Sequence, residues 1–498
     1  MTSSSDPSVA PGPDLIGTGV PGLDDVLGGG LTPGRLYLVE GTPGAGKTTI
    51  AMQFLREGVR KGESVLYVTL SETSEELRGV ADSHGWDLTG VHIRELLPTQ
   101  ESLQPDEQYT MFHPSEVELG ETTRLILEDV DRLRPTRIVF DSLSELRLLA
   151  GTSLRYRRQI LALKQFFAGR TCTVLLLDDM TAQQHDLHVQ SIAHAVLRLE
   201  QLQSDYGAQR RRLLVVKYRG RSYRGGYHDY KIVRGGLIAY PRLVANEHPR
   251  DVIRTKMPSG IAALDDLLGG GLEKGTSTLF VGAPGTGKST VAVQFALAAA
   301  PRGARPARGL FDESISTMLT RCLGMGMDLA PWIESGHLLL RQVDPAELSP
   351  GELVHDIRRS VVDDGVSVVV IDSLNGYLNA MPGERFLIVQ LHELLTFLGQ
   401  AGVATLMIGA QHGVIGAQMQ SPVDASYLAD AVVLLRFFES DGEVRQAISV
   451  MKKRGGAHER TIRDFRMTAE GLKVGLPLRE FRGILTGVPV PRHDSPDR

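Results

Sequence analysis

The chain has 498 residues, 42% of them hydrophobic and 23% charged, and a formal net charge of −5. That length supports two or three domains, each with its own core. The acidic balance excludes a surface built throughout to hold nucleic acid, though not a local basic channel. Two cysteines, Cys172 and Cys322, in unrelated settings exclude a disulfide framework or cysteine zinc site and suit a reducing cytoplasm. No apolar run reaches the roughly 18–20 residues that span a bilayer, and MTSSSDPSVAPGPD lacks the basic and apolar regions of a signal peptide.

In chain order, residues 1–14 read as a Ser/Pro-rich leader. GVPGLDDVLGGGL (Gly19–Leu31) predicts a short helix closed by glycines 28–30 onto an apolar strand, Leu36–Glu40. GTPGAGKT (Gly41–Thr48) follows and fits G-x-x-x-x-G-K-[ST], a loop whose backbone cradles nucleotide phosphates. A strand at Ser64–Leu70, a helix at Ser74–His84, a polar stretch at Thr99–Thr110, a strand at Thr136–Asp141 and a helix at Ser153–Ala168 come next. VVKYRG (Val215–Gly220) closes the half.

The pattern then repeats. GIAALDDLLGGGL (Gly260–Leu272) and, after the strand Ser277–Val281, GAPGTGKS (Gly282–Ser289) lie 241 residues beyond their first copies. IVFDSLSEL (Ile138–Leu146) answers VVIDSLNGY (Val369–Tyr377) at 231, so the first half carries about ten extra residues, placed in Thr99–Thr110. VMKKRG (Val450–Gly455) answers VVKYRG at 235. The expected organisation is a leader (1–14), a first domain (15–243), a linker (244–254), a second domain (255–488) and a tail (489–498). Strand–helix alternation after a phosphate loop predicts two α/β domains, each a mostly parallel sheet flanked by helices, with nucleotide at the carboxyl ends of the strands.

The chemistry follows from residue type. ATP is expected on Gly41, Thr42, Pro43, Gly44, Ala45, Gly46, Lys47, Thr48 and Thr49, and on Gly282, Ala283, Pro284, Gly285, Thr286, Gly287, Lys288, Ser289 and Thr290. Lys47 and Lys288 are expected on the β/γ-phosphates. Thr48 with Asp141, and Ser289 with Asp372, are expected on Mg²⁺, because each Asp ends an apolar strand. Glu72 (in TLSETSEEL) and Asp312 and Glu313 (in LFDESISTM) are candidates to orient water or a hydroxyl at the γ-phosphate. Their bland alternative is an acidic helix start.

Tandem phosphate-loop halves, the SET and DES signatures, K-x-R-G near each half's end and the stretch KKRGGAHERTIRDFRMTAEGLKVG…LREFRGILTGVP resemble the KaiC family of clock-type ATPases and autokinases, from about Leu15 to Pro489. The resemblance implies two RecA-like domains and a homohexamer of two stacked rings with ATP between subunits. Lys217, Arg219, Lys452 and Arg454 match the cations that reach a neighbour's γ-phosphate. Ser426 matches one of the family's two phosphoacceptors, and Tyr427 replaces the other. Ser71 stands where the family has a second glutamate beside Glu72. The ten residues after Val488 are short for the segment that engages KaiA, so no KaiA partner is expected; a KaiB-like protein or a two-component kinase or regulator remains open. The expected function is a cytoplasmic switch that hydrolyses ATP slowly and autophosphorylates on Ser426.

Two alternatives stay open. A RecA/RadA-type DNA-handling protein would use Arg210–Arg212, Arg221 and Arg224 with Tyr218, Tyr223 and Tyr227, a sparse set of stacking platforms. A nucleotide-gated scaffold without kinase activity would need only different partner affinities in its nucleotide states.

Overall fold

The computed structural model describes residues 14–96, 114–180, 187–203, 207–247, 255–310, 313–344, 346–379, 386–411, 426–486 and 489–491. The chain divides into two compact units, Met1–Arg242 and Leu243–Arg498. Of the linker expected over 244–254, the turn Ala245–Glu247 belongs to the second unit, where the Ala245 N–H donates to Glu393 Oε2 (2.9 Å). The expected Thr99–Thr110 insertion lies outside the described residues.

The first unit runs α1 (Leu23–Val26), β1 (Leu36–Gly41), α2 (Lys47–Arg60), β2 (Val65–Thr69), α3 (Ser74–Ser83), β3 (Val91–Glu95), α4 (Pro114–Leu133), β4 (Arg137–Asp141), α5 (Leu143–Ala150) and α6 (Ser153–Ala168). It continues with β5 (Thr173–Asp179), α7 (Leu187–Ile192), β6 (Ala195–Leu202), β7 (Arg210–Tyr218), β8 (Tyr227–Val233) and β9 (Gly236–Tyr240). Its sheet order is β3-β2-β4-β5-β1-β6-β7-β8-β9. Pairing is parallel from β3 to β6 and antiparallel from β6 to β9. The parallel part matches the alternation read from the sequence. Helix α5 and the antiparallel extension add to it.

Period-two alternation sends side chains to two cores. Tyr37, Val39, Val65, Tyr67 and Val139 pack with Ile50 and Phe54 of α2. Leu38, Leu66, Val68, Ile138 and Phe140 pack on the opposite face with Ile160, Leu163 and Phe167 of α6. The glycines at 28–30 have φ of 68°, 113° and 126°, which only glycine adopts without strain, and they turn the chain from α1 into β1 as expected.

The second unit repeats the plan with β10 (Lys256–Met257), α8 (Ala262–Leu267), β11 (Leu272–Glu273), β12 (Ser277–Gly282), α9 (Lys288–Ala299), β13 (Pro306–Leu310), α10 (Ile315–Leu323), α11 (Ala330–Glu334), β14 (Leu339–Gln342) and α12 (Pro350–Val362). Then come β15 (Val368–Asp372), α13 (Leu374–Asn379), α14 (Leu387–Gln400), β16 (Ala404–Ala410), β17 (Ala431–Ser440), β18 (Glu443–Lys453), β19 (Arg463–Thr468) and β20 (Gly471–Pro477). Its order, β14-β13-β15-β16-β12-β17-β18-β19-β20, is the first sheet's order element for element. Among the described residues no helix is long and apolar enough to cross a membrane.

Candidate active site

Both phosphate loops connect a central strand to a helix N-terminus, where unpaired N–H groups and the helix dipole attract phosphate. Gly46 (φ 94°) caps α2 and Gly287 (φ 96°) caps α9. A Cβ on Gly46 would lie 2.7 Å from Ile232 Cδ1, and one on Gly287 2.8 Å from Phe465 Cε1. The spacing of the motif is thus set by left-handed backbone and by the sheet beneath it.

Lys47 Nζ donates to Gly41 O (3.0 Å) and Thr42 O (3.2 Å) and pairs with Asp179 Oδ1 at 2.6 Å. Thr48 Oγ1 donates to Asp141 Oδ2 (3.3 Å), so the hydroxyl and strand-tip acid expected to share a metal ion are adjacent. Tyr67 OH donates to the same Asp141 oxygen at 2.5 Å. Burial raises the Asp141 pKa, opposed by Tyr67, Lys47 and Thr48. In the second half, Lys288 Nζ donates to Gly282 O (2.8 Å) and Ala283 O (2.7 Å). Asp372 ends β15 and is buried, as Asp141 is at the end of β4. The peptide bond after each of these acids is cis.

Glu72 lies between β2 and α3, its N–H held by Thr69 Oγ1 (2.9 Å). The helix start beyond it is a capping box made by Thr73 and Glu76, so Glu72 itself is left out of the cap. Its Oε2 is buried and has no hydrogen-bond partner among the described residues. Burial raises its pKa, with Asp141, Glu76 and Asp179 adding and Lys47 opposing. Such a carboxylate is short of one donor, and a water molecule could supply it.

Glu313 is different. Arg321, two turns along α10, donates to Glu313 Oε1 (3.0 Å) and Oε2 (2.9 Å) and also to Thr290 Oγ1 (2.9 Å). The position 241 residues earlier is Val80. Asp312 lies outside the described residues. Replacing Arg321 with valine is expected to free Glu313 and raise hydrolysis in the second half. In a Glu72→Gln background, phosphate release should increase at least about tenfold, below the 10²–10⁴ of a fully placed base.

The four cations matched to trans contacts sit at strand ends. Lys217 and Arg219 follow or end β7, and Arg219 donates to Ser191 O. Lys452 Nζ donates to Ser426 O (2.9 Å) and Ala429 O (2.8 Å), and Arg454 to Tyr427 O (2.8 Å). Lys452 and Arg454 therefore clasp the turn that bears Ser426, and Tyr427 on that turn is 55% exposed. Of the basic cluster considered for DNA, Arg212 pairs with Glu200 (2.8 Å) and Arg224 with Asp25 (3.2 Å). Tyr218 is buried, and Tyr227 donates to Glu200 beneath the Arg212 guanidinium. These groups are engaged within the fold.

Asp179, Tyr67 and Arg321 were not singled out from sequence. Asp178–Asp179 ends the run TVLLL as Asp141 ends RIVF, a signal that could have flagged the first. Nothing in the sequence marks Arg321. Among the described residues no group of three His, Cys, Asp or Glu could hold a metal unaided. A hydroxyl beside one acid suits Mg²⁺ that arrives on a nucleotide, most of whose ligands are phosphate and water.

A lysine and a hydroxyl brought by a helix N-terminus to face a strand-tip acid is how a RecA-like phosphate-loop domain meets a triphosphate, and the chain carries two such domains in tandem. A sequence profile described as "ATPase: KaiC" matches residues 16–244 and again 257–479, so the chain belongs to the KaiC family of ATPases. It is 27% identical to the "Circadian clock protein KaiC3" of a Synechocystis species, over 96% of this chain and 95% of that protein. It is also 27% identical to the "Circadian clock oscillator protein KaiC" of Synechococcus elongatus (98% and 94% covered). The protein of that name from Acaryochloris marina is 26% identical (95% and 90% covered).

Proposed function

We propose that the chain is a homohexameric ATP-driven switch that hydrolyses ATP slowly in its first half and transfers phosphate to Ser426 from ATP in its second. The observation that carries this reading is the contrast between the glutamates. Glu72 has a buried oxygen in need of a donor, whereas both oxygens of Glu313 are taken by Arg321. In the first half Glu72 would orient water in line with the γ-phosphorus, with Lys47 on the phosphates. In the second half the Ser426 oxygen of an adjoining copy would attack the γ-phosphorus. The bond to the ADP oxygen breaks, and the serine proton passes to Asp312 or Glu313. Lys217 with Arg219, and Lys452 with Arg454, would stabilise charge across the subunit boundary. Mg²⁺ held by Thr48 and Asp141, and by Ser289 and Asp372, would supply charge neutralisation at the phosphates. The output would be read by a KaiB-like or two-component partner in the cytoplasm.

Intact-mass and phosphopeptide analysis after incubation with Mg-ATP or Mg-ADP tests the transfer. Phosphate on Ser426 with ATP, lost in Lys288→Ala, is the expected result. ADP accumulation without phosphate on any residue would remove the autokinase half of the proposal.

A further inference from the structure

The first half holds a cationic pocket at the opposite edge of the sheet from its phosphate loop. The cavity, about 320 Å³, lies where β1 and β6 begin and β7 ends, and is lined by Arg35, Lys164, His194 and Arg219. Lys217 is close enough to act on His194 electrostatically. β1 spans six residues, roughly 20 Å of strand, so this pocket is not part of the same half's phosphate loop.

Among the described residues none of these five groups pairs with a carboxylate. Lys164 Nζ donates to Ile192 O (3.1 Å) and the Arg219 guanidinium to Ser191 O, so both are held by the same short segment. Burial and then Arg35, Arg219, Lys164 and Lys217 lower the His194 pKa; burial, Arg219 and Lys164 lower that of Lys217. Every charge acting on His194 is positive.

The second half shows what the pocket would be as ordinary structure. The His194 N–H donates to Leu36 O (2.7 Å) and the Arg219 N–H to His194 O (3.0 Å). The same bonds recur as Asp430 N–H to Ser277 O (2.9 Å) and Arg454 N–H to Asp430 O (2.8 Å), so the positions are equivalent. There Asp430 replaces His194 and lies 3.6 Å from Arg454. By the repeat offsets Thr276 stands for Arg35 and Leu395 for Lys164. One copy of the fold thus neutralises this place, and the other concentrates positive charge in it. Like charges gathered at a concave, partly desolvated surface raise the local potential and favour a compact oxyanion.

We propose that Arg35, Lys164 and His194, with Arg219 and Lys217, form a phosphate-binding pocket present in the first half alone. A guanidinium and ammonium set of this kind suits a phosphate's several acceptor oxygens. The phosphate could be free orthophosphate or a phosphate of nucleotide on an adjoining copy, and both present the same chemistry. The proposal goes beyond the switch reading and does not require hydrolysis.

The test is calorimetric titration of orthophosphate into the nucleotide-free full chain, for wild type, His194→Asp and Lys164→Leu, with thermal melts to verify folding. Both variants import the residue that the second half uses at the same place. Wild-type uptake that weakens at least tenfold in each variant is expected if the source is free phosphate. No uptake by wild type, but an ATP affinity at least tenfold weaker in folded His194→Asp, would assign the phosphate to a neighbour's nucleotide. Unchanged phosphate and ATP affinities in both folded variants would overturn the pocket. Intact phosphate binding in a chain that turns over no ATP would sink only the hydrolysis reading.

Discussion

Glu72→Gln is expected to slow steady-state ATP hydrolysis by about 100-fold while ATP still binds, the lower range of what a placed general base contributes. The amide keeps the side chain's size and its place between β2 and the capped start of α3. It removes the acceptor that the buried Oε2 offers to water. Lys47, Thr48 and Asp141 are untouched, so affinity should change little. The pH profile separates this role from a structural one. The Glu72 pKa is raised, first by burial and then by Asp141, Glu76 and Asp179. A base must be ionised, so wild-type turnover should fall as pH drops through a value above the usual carboxylate range. That acid limb should vanish in Glu72→Gln. Turnover close to wild type, with the limb retained, would exclude Glu72 as the water-orienting group.

The parts of the site legible in the sequence are those whose chemistry is local. A phosphate loop is a run of eight residues, and its glycines are needed for φ angles near 79° and 94° at Gly44 and Gly46. Asp141 and Asp372 could be read because a charged residue ending a buried strand is already out of place unless it faces a site. The repeat made each reading twice as informative. What escaped depends on packing between elements distant in sequence. Asp179 reaches Lys47 because β5 lies beside β1, with Gly41 opposite Asp179 in the register. Tyr67 meets Asp141 across the β2–β4 pair. Arg321 grips Glu313 by the rotation of one helix, and a two-turn spacing between an acid and a base is common on any solvated helix face. His194 was invisible for another reason: its meaning comes only from comparison with Asp430 once the backbone has shown the two positions to be equivalent.

The two loops also differ in how their lysines are held, and this predicts a pH dependence confined to the second. Lys288 is buried and bonded only to loop carbonyls among the printed contacts of its ammonium, and burial pushes it down to about 8 against the pull of Asp372. The first loop places the Asp179 carboxylate 2.6 Å from Lys47, whereas the register of β12 against β16 puts Ala410 at that place. A bound triphosphate favours the ammonium form, so the pKa of Lys288 must rise on binding. Below pH 8 Lys288 already carries its proton, and affinity should be flat. Above pH 8 the free site has lost that proton and must recover it from water, so affinity should fall by up to about tenfold per pH unit. Measured in a Lys47→Ala chain, where only the second loop reports, ATP should therefore bind about tenfold more weakly at pH 9.5 than at pH 7.5. Ala410→Asp gives the second loop the acid of the first and should flatten that slope even as it weakens binding overall. A flat profile in the Lys47→Ala chain would mean that Lys288 keeps its proton without the nucleotide, and that the lost carboxylate has no bearing on how the second half takes up ATP.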